Sequence, residues 1–530
     1  MRNILIFQTR RIGDFFQSVP LIDAIFDKDN GRINNIDILI NESIYNIKDI
    51  FGNRVNLLTY KSLLKSFYVS GSFLSNFDFF LSDFFSKYDV VVNLNYDFTN
   101  SLFINFFKNQ KRGFIALNKS PKTAEAVSRA GASNYLFNIV KNRNLNKINI
   151  VDVYSLIGIG KPAKIKPYYD IINLRSSKSK ARRINNSQPL RICISIGATS
   201  VKRIWQTENY VSLIKLFAGN FNCEIAIVGT SEESASAAEI KRNLTGDVNV
   251  LDLTGKTTLS ELIYLIKDFD LIIAADTGTL HIAQIFNVPS VSIFTGNANF
   301  YETGPHTEDS LIIYSNTDCY PCLQHEPCRF NYACKNDIIP EDVFNISLLQ
   351  IKKNKLDSLN IKTDIKKNIQ KGNFSVAVCR HLDSIHFYPM FKQKIAKAGF
   401  ASEILKFCWI NVLSKNIVKI DRDKILRYTK KYYKINKTSI DSLVREFSFV
   451  KTVFENGLQS FGRYGNNIED NDAPYFEKFK DSVKSIGLNY SYLKLACDYF
   501  MDELNSSGIL KSFDDIILLL DNAVSLLKMF

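Results

Sequence analysis

Three loops of this chain place charged and hydroxyl side chains directly after an apolar run. The first loop ends at Gly13-Asp14, the second opens at Gly197, and the third opens at Asp276. Each apolar run predicts a strand, and each loop leads into apolar residues at helical spacing. A helix start offers free N–H groups and a partial positive charge, which bind phosphates. The three loops therefore predict a site for a phosphate-bearing substrate.

The first loop carries the candidate catalytic group. Gly13 permits a tight turn, and Asp14 stands at the start of the helix that follows. Its carboxylate could serve as a general base that takes a proton from a substrate hydroxyl. The alternative is a structural N-cap of the same helix, and the residues of this loop do not decide between the two.

The second loop combines small residues, hydroxyls and cations in the order Gly197-Ala198-Thr199-Ser200-Val201-Lys202-Arg203. Hydroxyls and backbone N–H groups can cradle a phosphate, and the two cations can neutralise a leaving diphosphate. An ordinary polar loop between a strand and a helix is the alternative.

The third loop is Asp276-Thr277-Gly278, followed by His281 on the next helix. Asp276 follows an apolar strand, and Thr277 and Gly278 open the next helix. His281 is either a ligand contact or a structural histidine.

Two other patterns imitate nucleotide or metal sites. Gly255-Lys256-Thr257 ends like a P-loop, but the first glycine of that motif would have to stand at Val250. Asp268-Phe269-Asp270 imitates a metal-binding carboxylate pair, but it lies between a helix and a strand, where we expect a surface turn. The sequence therefore predicts neither a P-loop nor a catalytic metal.

The loops require parallel strands to bring them together. Residues 3–8, 36–40 and 90–94 are predicted strands, and residues 14–26 form a predicted helix. Farther along, five predicted strands alternate with four helices; the strands are 190–196, 224–228, 248–253, 271–275 and 290–294. Such doubly wound α/β sheets bind ligands at the carboxyl ends of their strands.

The chain divides into four predicted segments. One α/β domain spans residues 1–175, and a polar, basic linker spans 176–189. A second α/β domain spans 190–350 and includes a cysteine-rich loop at 316–336. Residues 351–530 form a mostly helical extension of unknown role.

The net charge of +14 is concentrated in one part of the extension. Residues 351–440 contain 21 Lys and Arg against 6 Asp and Glu, whereas residues 441–530 contain 9 against 14. A local basic zone favours an anionic surface. Because no nucleic-acid-binding motif is recognisable, we predict membrane phosphates and no nucleic acid. The alternative is a solvated face without a partner.

Sequence features also bear on location. No apolar run approaches the ~18 residues that a membrane-spanning helix needs. The N-terminal run is interrupted by Arg10, Arg11 and Asp14, unlike a secretory signal peptide. The protein is therefore predicted to be cytoplasmic, and peripheral on the inner membrane through its basic segment.

Four of the nine cysteines cluster at Cys319, Cys322, Cys328 and Cys334. In a cytoplasmic protein such a cluster favours a metal over disulfides, and four thiolates can form a closed, structural zinc or iron site. His325 lies inside the cluster and could replace one cysteine. Reduced thiols that pack the loop are the alternative.

Five motifs recur in one order along the chain. They are Gly13-Asp14 with Pro20, Gly197-Ala198 with Lys202-Arg203-Ile204-Trp205, Leu253-Thr254-Gly255-Lys256-Thr257-Thr258-Leu259-Ser260-Glu261-Leu262, Asp276-Thr277-Gly278-Thr279-Leu280-His281, and Cys319-Tyr320-Pro321-Cys322. Together they resemble glycosyltransferase family 9, the heptosyltransferases. The resemblance extends over residues 1–350 and is strongest from 190 to 335.

The resemblance implies a GT-B architecture, in which two Rossmann-like domains face a cleft, and inverting sugar transfer without a catalytic metal. It implies that Asp14 takes the proton of the acceptor hydroxyl. The implied donor is ADP-heptose, and the implied acceptor is a bacterial surface glycan such as the lipopolysaccharide inner core. A protein acceptor, another nucleotide sugar, and a non-enzymatic binding protein on the same fold are the alternatives.

The same resemblance implies a donor site. It comprises Gly13, Thr199, Ser200, Lys202, Arg203, Asp276, Thr277, Gly278 and His281. Family members often carry a glutamate that holds the ribose after the glycine turn of the second strand. Glu232 is assigned this role, with Glu233 as the alternative, because both follow Gly229. The chain departs from the family at Gln206, where proline is common, and in the long C-terminal extension, which leaves the acceptor open.

Overall fold

The computed structural model describes residues 2–28, 33–53, 55–69, 77–104, 107, 109–113, 115–116, 127–128, 131–174, 189–244, 248–323, 326–351, 373–390, 393–461, 472–507 and 509–530. The predicted linker lies outside these residues except for residue 189.

The first sheet contains five parallel strands. They are β1 (Arg2–Gln8), β2 (Ile33–Ile40), β3 (Val55–Thr59), β4 (Val90–Asn93) and β5 (Gln110–Gly113). Their spatial order is β3-β2-β1-β4-β5. This is the order of a doubly wound sheet, and the point where it reverses lies at β1, directly before the Gly13-Asp14 loop. A short antiparallel pair, β6 (Ile115–Ala116) and β7 (Val127–Ser128), lies outside the sheet.

Six α-helices accompany this sheet. They are α1 (Ile12–Lys28), α2 (Tyr60–Val69), α3 (Phe77–Ser86), α4 (Phe98–Phe103), α5 (Ala132–Ile139) and α6 (Ile150–Ile159). A 3₁₀ helix spans Glu42–Ile50. Every residue of α6 is buried, because this helix is apolar around most of its circumference and packs between α1 and the rest of the molecule.

The second sheet contains eight strands. They are β8 (Leu190–Ser195), β9 (Cys223–Val228), β10 (Val250–Asp252), β11 (Leu271–Ala274), β12 (Ser290–Phe294), β13 (Leu311–Ser315), β14 (Phe374–His381) and β15 (Ile385–Pro389). The order is β10-β9-β8-β11-β12-β13-β14-β15, and the antiparallel pairs are β13–β14 and β14–β15. The five predicted strands are present. The β14–β15 hairpin was not predicted, and it carries the sheet past residue 350.

The helices of this sheet are α7 (Thr207–Asn220), α8 (Ser234–Asn243), α9 (Leu259–Ile266), α10 (Gly278–Ile285), α11 (Phe300–Thr303) and α12 (Pro340–Ile351). The predicted surface turn at residues 268–270 lies between α9 and β11, as expected. There the Asp270 carboxylate accepts a hydrogen bond from the backbone N–H of Arg191 at 2.9 Å.

The C-terminal region is helical apart from the β14–β15 hairpin and a short parallel pair, β16 (Gln393–Lys394) and β17 (Tyr433–Lys434). Its helices are α13 (Lys397–Leu413), α14 (Arg422–Tyr432), α15 (Lys437–Phe461), α16 (Ala473–Asn489), α17 (Lys494–Ser507) and α18 (Ile509–Leu527). Helix α13 is buried at every position from residue 400 to 413. One continuous hydrophobic core joins these helices to the first sheet and to one face of the second.

The predicted fold class is confirmed: this is an α/β protein of GT-B architecture with a mainly helical C-terminal region. The predicted domain limits remain predictions, because the core is shared between the segments that they separate. Within the described residues, no helix is both long enough and apolar enough to cross a membrane.

Candidate active site

The starts of α1 and α10 meet between the two sheets. A Cβ atom placed on Gly13 would lie 2.8 Å from Cδ2 of His281, and one placed on Gly278 would lie 3.3 Å from Cγ2 of Ile12. The structure therefore brings the first and third predicted loops into direct contact, and glycine at position 13 is what permits the approach.

Asp14 lies in the first turn of α1, two residues inside the helix, so the N-cap alternative was wrong. Its Oδ1 accepts a hydrogen bond from the Tyr154 hydroxyl at 3.3 Å, and the Gln8 amide donates to its backbone carbonyl at 3.3 Å. Burial, and then the charge of Asp14, raise the pKa of Tyr154 well above its ordinary value. Tyr154 therefore stays protonated and holds the half-buried carboxylate in place.

Asp276 is buried between the side chains of Arg203 and His281. Nη1 of Arg203 lies 2.9 Å from Oδ2, and Nε2 of His281 lies 3.4 Å from Oδ1. Burial alone would raise the pKa of Asp276, but Arg203 and His281 outweigh it and lower that pKa to about 2. Asp276 is thus a fixed negative charge that orients His281 toward the Gly13 turn.

Both cations of the second loop are held by protein groups. Nε of Arg203 donates to Oδ1 of Asn297 at 3.0 Å. Nζ of Lys202 donates to the carbonyl of Leu323 at 3.0 Å and to that of Glu326. The structure therefore joins Arg203 to the third loop, and it directs Lys202 to the cysteine-rich loop.

The hydroxyls of the second loop lie nearer the surface. Thr199 is exposed, and Ser200 is half-buried with its hydroxyl 3.4 Å from the backbone N–H of Lys202. Of the two candidate ribose contacts, Glu232 is exposed, whereas the carboxylate of Glu233 lies against Gly197. Glu233 also accepts from the backbone N–H of Thr230 at 2.7 Å. The glutamate beside the predicted phosphate loop is therefore Glu233, not Glu232.

Three buried polar atoms around this cleft have no hydrogen-bond partner within the described part of the chain. They are Oγ1 of Thr277, Nδ1 of His281 and Nδ2 of Asn297. Buried polar atoms are rarely left unpaired, because each loses its contact with water without compensation. Thr277 and His281 lie at the start of α10, and Asn297 bonds to Arg203, the partner of Asp276, so a polar ligand at this helix start would complete the site.

Several functional neighbours were not predicted from the sequence. Tyr154 reaches Asp14 from α6, and Asn297 holds Arg203 from the loop after β12. Arg143 pairs with the buried Glu302, with Nε and Oε2 separated by 3.0 Å. Burial raises the pKa of Glu302, and Arg143 offsets part of that rise. Asp152, Tyr154 and Ser155 all interrupt the apolar α6 segment, and nothing in the sequence distinguishes Tyr154 from the other two.

The cysteine-rich loop adjoins the second loop through Lys202. Cys319, Cys322 and Cys328 are half-buried and Cys334 is buried, all as free thiols. The backbone N–H groups of Phe330 and Tyr332 lower the pKa of Cys328, and the Tyr332 nitrogen lies 3.1 Å from its sulfur. Burial raises the pKa of Cys322 and Cys334, and the charges of neighbouring thiols add to the rise.

Potential metal-ligand sets can be compared directly. In the described part of the chain, one set of three carboxylate, thiol or imidazole atoms lies within 4.8 Å of one another: Asp23, Asp27 and Asp170. Nζ of Lys166 already contacts all three of these carboxylates. The four sulfurs do not form such a set, and His325 lies outside the described residues. The predicted structural metal remains a prediction.

Comparisons with known proteins agree with the motifs. The model of glycosyltransferase family 9 (heptosyltransferase) matches residues 85–333. Lipooligosaccharide heptosyltransferase 2 of Campylobacter jejuni subsp. jejuni serotype O:2 is 23% identical over 317 residues, which cover 58% of this chain and 92% of the relative.

Two solved structures are also similar. The E. coli ADP-heptose lps heptosyltransferase II has a TM-score of 0.46 at 16% identity, and the match covers 67% of this chain and 100% of that chain. The glycosyl transferase family 9 protein of Veillonella parvula has a TM-score of 0.48 at 13% identity, over 66% of this chain and 98% of that chain. The family model, the Campylobacter relative and the shared motifs agree that the chain resembles glycosyltransferase family 9.

Proposed function

We propose that the protein transfers heptose from ADP-heptose to a bacterial surface glycan, the inner core of lipopolysaccharide or lipooligosaccharide, with inversion at the anomeric carbon. The observation that carries the proposal is the contact of the Gly13 turn with His281, which sets Asp14 beside the donor-side helix start. The heptose and the glycan acceptor are supported by the Campylobacter relative, of which the match covers 92%.

Asp14 acts as the general base in this proposal. The acceptor oxygen attacks the anomeric carbon and forms the new C–O bond, while the bond from that carbon to the diphosphate oxygen breaks. The acceptor proton passes to Asp14, whose position is fixed by Tyr154. ADP leaves with the electron pair of the broken bond.

The donor diphosphate lies at the start of α10 in this proposal. The helix N-terminus supplies N–H groups and a partial positive charge. The unpaired atoms of Thr277 and His281 at this helix start, and that of Asn297 beside Arg203, can bond to phosphate or sugar oxygens. Arg203 adds positive charge there, and Glu233 takes the ribose contact in place of Glu232.

The donor is tested by titrating the protein with ADP, ADP-heptose, and GDP- and UDP-sugars in a calorimeter. We expect ADP-heptose and ADP to bind and the other nucleotides to bind more weakly. Lys202→Ala is expected to weaken ADP binding, because it removes a cation and frees the cysteine-rich loop, and the exposed Lys256→Ala is the control. If the protein binds a GDP- or UDP-sugar more tightly than ADP-heptose, the proposed donor is wrong.

The proposed chemistry needs no catalytic metal, because helix starts and cations serve the diphosphate. A structural zinc or iron held by Cys319, Cys322, Cys328 and Cys334 is a separate part of the proposal. It is supported by the four-thiol donor set and by the backbone N–H groups at Cys328. The sulfurs would have to draw closer than they stand here to enclose an ion.

Elemental analysis of protein purified without an affinity tag tests the metal. About one zinc or iron per chain is expected for a four-thiolate site, lost together with thermal stability in Cys322→Ser but not in Cys223→Ser. We expect sugar transfer to continue in the presence of EDTA, without added Mg²⁺ or Mn²⁺. If the purified protein contains no metal and is folded and active, the proposed structural metal site is wrong.

We also place the protein at the anionic surface of the inner membrane, through helix α14. This helix buries Ile425, Thr429 and Tyr432, while Arg427, Lys430 and Lys431 are exposed on the opposite side. Exposed lysines flank the helix at 415, 419, 434 and 437, and Ile417 is 61% exposed. Basic side chains around an exposed apolar residue suit a surface of lipid phosphates.

A further inference from the structure

Residues 142–149, which lie between α5 and α6, touch three parts of the molecule, and we call them the junction loop. It belongs to the first sheet's side of the cleft. It contacts residues 297–304, which follow β12 of the second sheet, and it contacts the C-terminal helices α13 and α17. A single loop thus joins both halves of the cleft to the extension.

Arg143 makes the contact with the second half. Its Nη1 donates to the carbonyl of Asn297 at 2.8 Å, and its Nη2 donates to Oε1 of Glu302 at 3.1 Å. The amide of Asn299 donates in return to the Arg143 carbonyl at 2.6 Å. Both side chains of the ion pair are largely buried, 15% and 10% exposed, so the pair is shielded from solvent.

Asn297 extends this contact into the donor site. Its carbonyl accepts from Arg143, while its side-chain oxygen accepts from Nε of Arg203. Arg203 in turn holds Asp276, which orients His281. A continuous series of charged and polar contacts therefore runs from the junction loop to the helix start where the donor is proposed to bind.

The extension supports the junction loop from the other side. Asn134, Asn138 and Asn142 recur every four residues along α5 and just beyond it. Their amides donate to Glu503, Asp502 and Asp498 of α17 at 2.9, 2.9 and 2.8 Å, respectively. Spacing of four places the three asparagines on one face. The last of them immediately precedes Arg143.

Two further contacts fix the far end of the junction loop. Nζ of Lys147 lies 3.6 Å from the buried Glu403 of α13 and 3.5 Å from the centre of the Tyr301 ring. The amide of Asn149 donates to the carbonyl of Gly304 at 3.1 Å. Residues 297–304 are therefore held at both ends by one loop, and that loop is held by the extension.

We propose that Arg143 is a positioning residue for the donor site and that the C-terminal helices serve to hold it in place. The inference rests on the donor site proposed above. Two packed domains ordinarily move relative to one another unless their interface is extensive. Here the extension contacts both sides, so that Asn297 and Arg203 are presented to the donor in a fixed arrangement.

The test separates positioning from stability through a neutral pair. Arg143→Met together with Glu302→Gln removes the ion pair without leaving a buried charge, so unfolding should change little. Hydrogen exchange at residues 297–304 in ligand-free protein should nevertheless accelerate. ADP affinity should fall about 10-fold or more, the value of one charge-assisted hydrogen bond. Lys141→Ala, an exposed neighbour, is the control.

Arg143→Lys serves if the neutral pair does not fold. Lysine keeps the charge but cannot bond to Asn297 and Glu302 together, so faster exchange at 297–304 and weaker ADP binding are expected again. The proposal would be overturned by a folded Arg143 variant whose hydrogen exchange at 297–304 and ADP affinity equal those of the wild type. Hydrogen exchange is measured without the donor. If the wild type does not bind ADP, the proposed function is wrong, but the exchange result still tests the role of Arg143.

The role of the extension is tested at Asp498. Asp498→Ala removes the partner of Asn142 and an ion pair with Lys494. Asp481→Ala removes the matched ion pair with Lys484, on α16, and leaves the asparagine contacts intact. Faster exchange at residues 142–149 and 297–304 in the first variant only would support the proposal. Equal exchange in the two variants would overturn the part assigned to the extension.

Discussion

The imidazole ring of His281 lies against Gly13, so close that a Cβ atom at position 13 would stand 2.8 Å from Cδ2 of the ring. These residues belong to the first turns of α1 and α10, which start from different sheets. The contact sets the proposed base next to the proposed donor site and leaves no room for a side chain between them.

Gly13→Ala should therefore prevent the two helix starts from meeting. Overpacking a close contact typically costs ~1–3 kcal/mol, so we expect turnover to fall at least ~10-fold. Steady-state kinetics measures the loss. Gly219→Ala is the control, because its Cβ would meet nothing within 4 Å on helix α7 and alanine favours the helix. An active Gly13→Ala enzyme would show that the closed contact is not used in catalysis.

Asp14→Asn should remove the base and retain its shape. Positioned proton transfer contributes ~10²–10⁴ in rate, so turnover should fall at least ~10²-fold while ADP affinity changes little. Tyr154→Phe should show a smaller loss, because it removes only the hydrogen bond that holds the carboxylate. Full turnover by Asp14→Asn would exclude Asp14 as the base.

Much of this site could be predicted because its parts are local. Apolar periodicity predicts the strands, and ligands bind at the carboxyl ends of parallel strands. Gly13 and Asp14 lie at that end of the first sheet, and Asp276 lies at that end of the second. The motif also identified His281. Periodicity could not predict which residues form hydrogen bonds or ion pairs with these side chains.

The unpredicted contacts depend on tertiary packing. Arg143 and Glu302 lie on different halves of the molecule and meet across a cleft, so no local pattern relates them. Lys202 was assigned to the diphosphate by its neighbours, but its side chain reaches the carbonyl of Leu323. The β14–β15 hairpin was missed because it follows a Lys-rich stretch and joins the sheet antiparallel, outside the alternating pattern.

A buried carboxyl group on α6 predicts a pH dependence of stability. Asp152 is fully buried, and burial raises its pKa from 3.8 to about 8, although the Ile385 N–H bond at 2.8 Å lowers it in part. At a pH between these two pKa values, the Asp152 carboxyl keeps its proton in the folded chain and releases it in the unfolded chain. The stabilisation is therefore complete below the unfolded pKa and is lost as pH rises toward 8.

Asp152→Asn removes that dependence, because the amide oxygen still accepts from Ile385 and carries no charge. Relative to wild type, the variant should gain at least ~1 kcal/mol in unfolding free energy between pH 5 and pH 8. Urea unfolding at the two pH values measures this, with the exposed Asp441→Asn as control. Parallel pH profiles for wild type and Asp152→Asn would contradict the prediction.

Binding to anionic lipid should depend on the exposed cations of α14. The triple variant Arg427→Gln, Lys430→Gln and Lys431→Gln should lose flotation with vesicles that contain anionic lipid, because each basic residue near such a surface contributes about 1 kcal/mol. Screening by salt should weaken wild-type binding in the same way. The control is Lys478→Gln, Lys484→Gln and Lys528→Gln, which removes the same charge from exposed positions on other parts of the extension. If only the α14 variant loses vesicle binding, the membrane-binding surface lies on this helix. Equal loss in both variants would show that binding depends only on the net charge of the protein. Wild-type binding to neutral vesicles at the same level would refute electrostatic docking altogether.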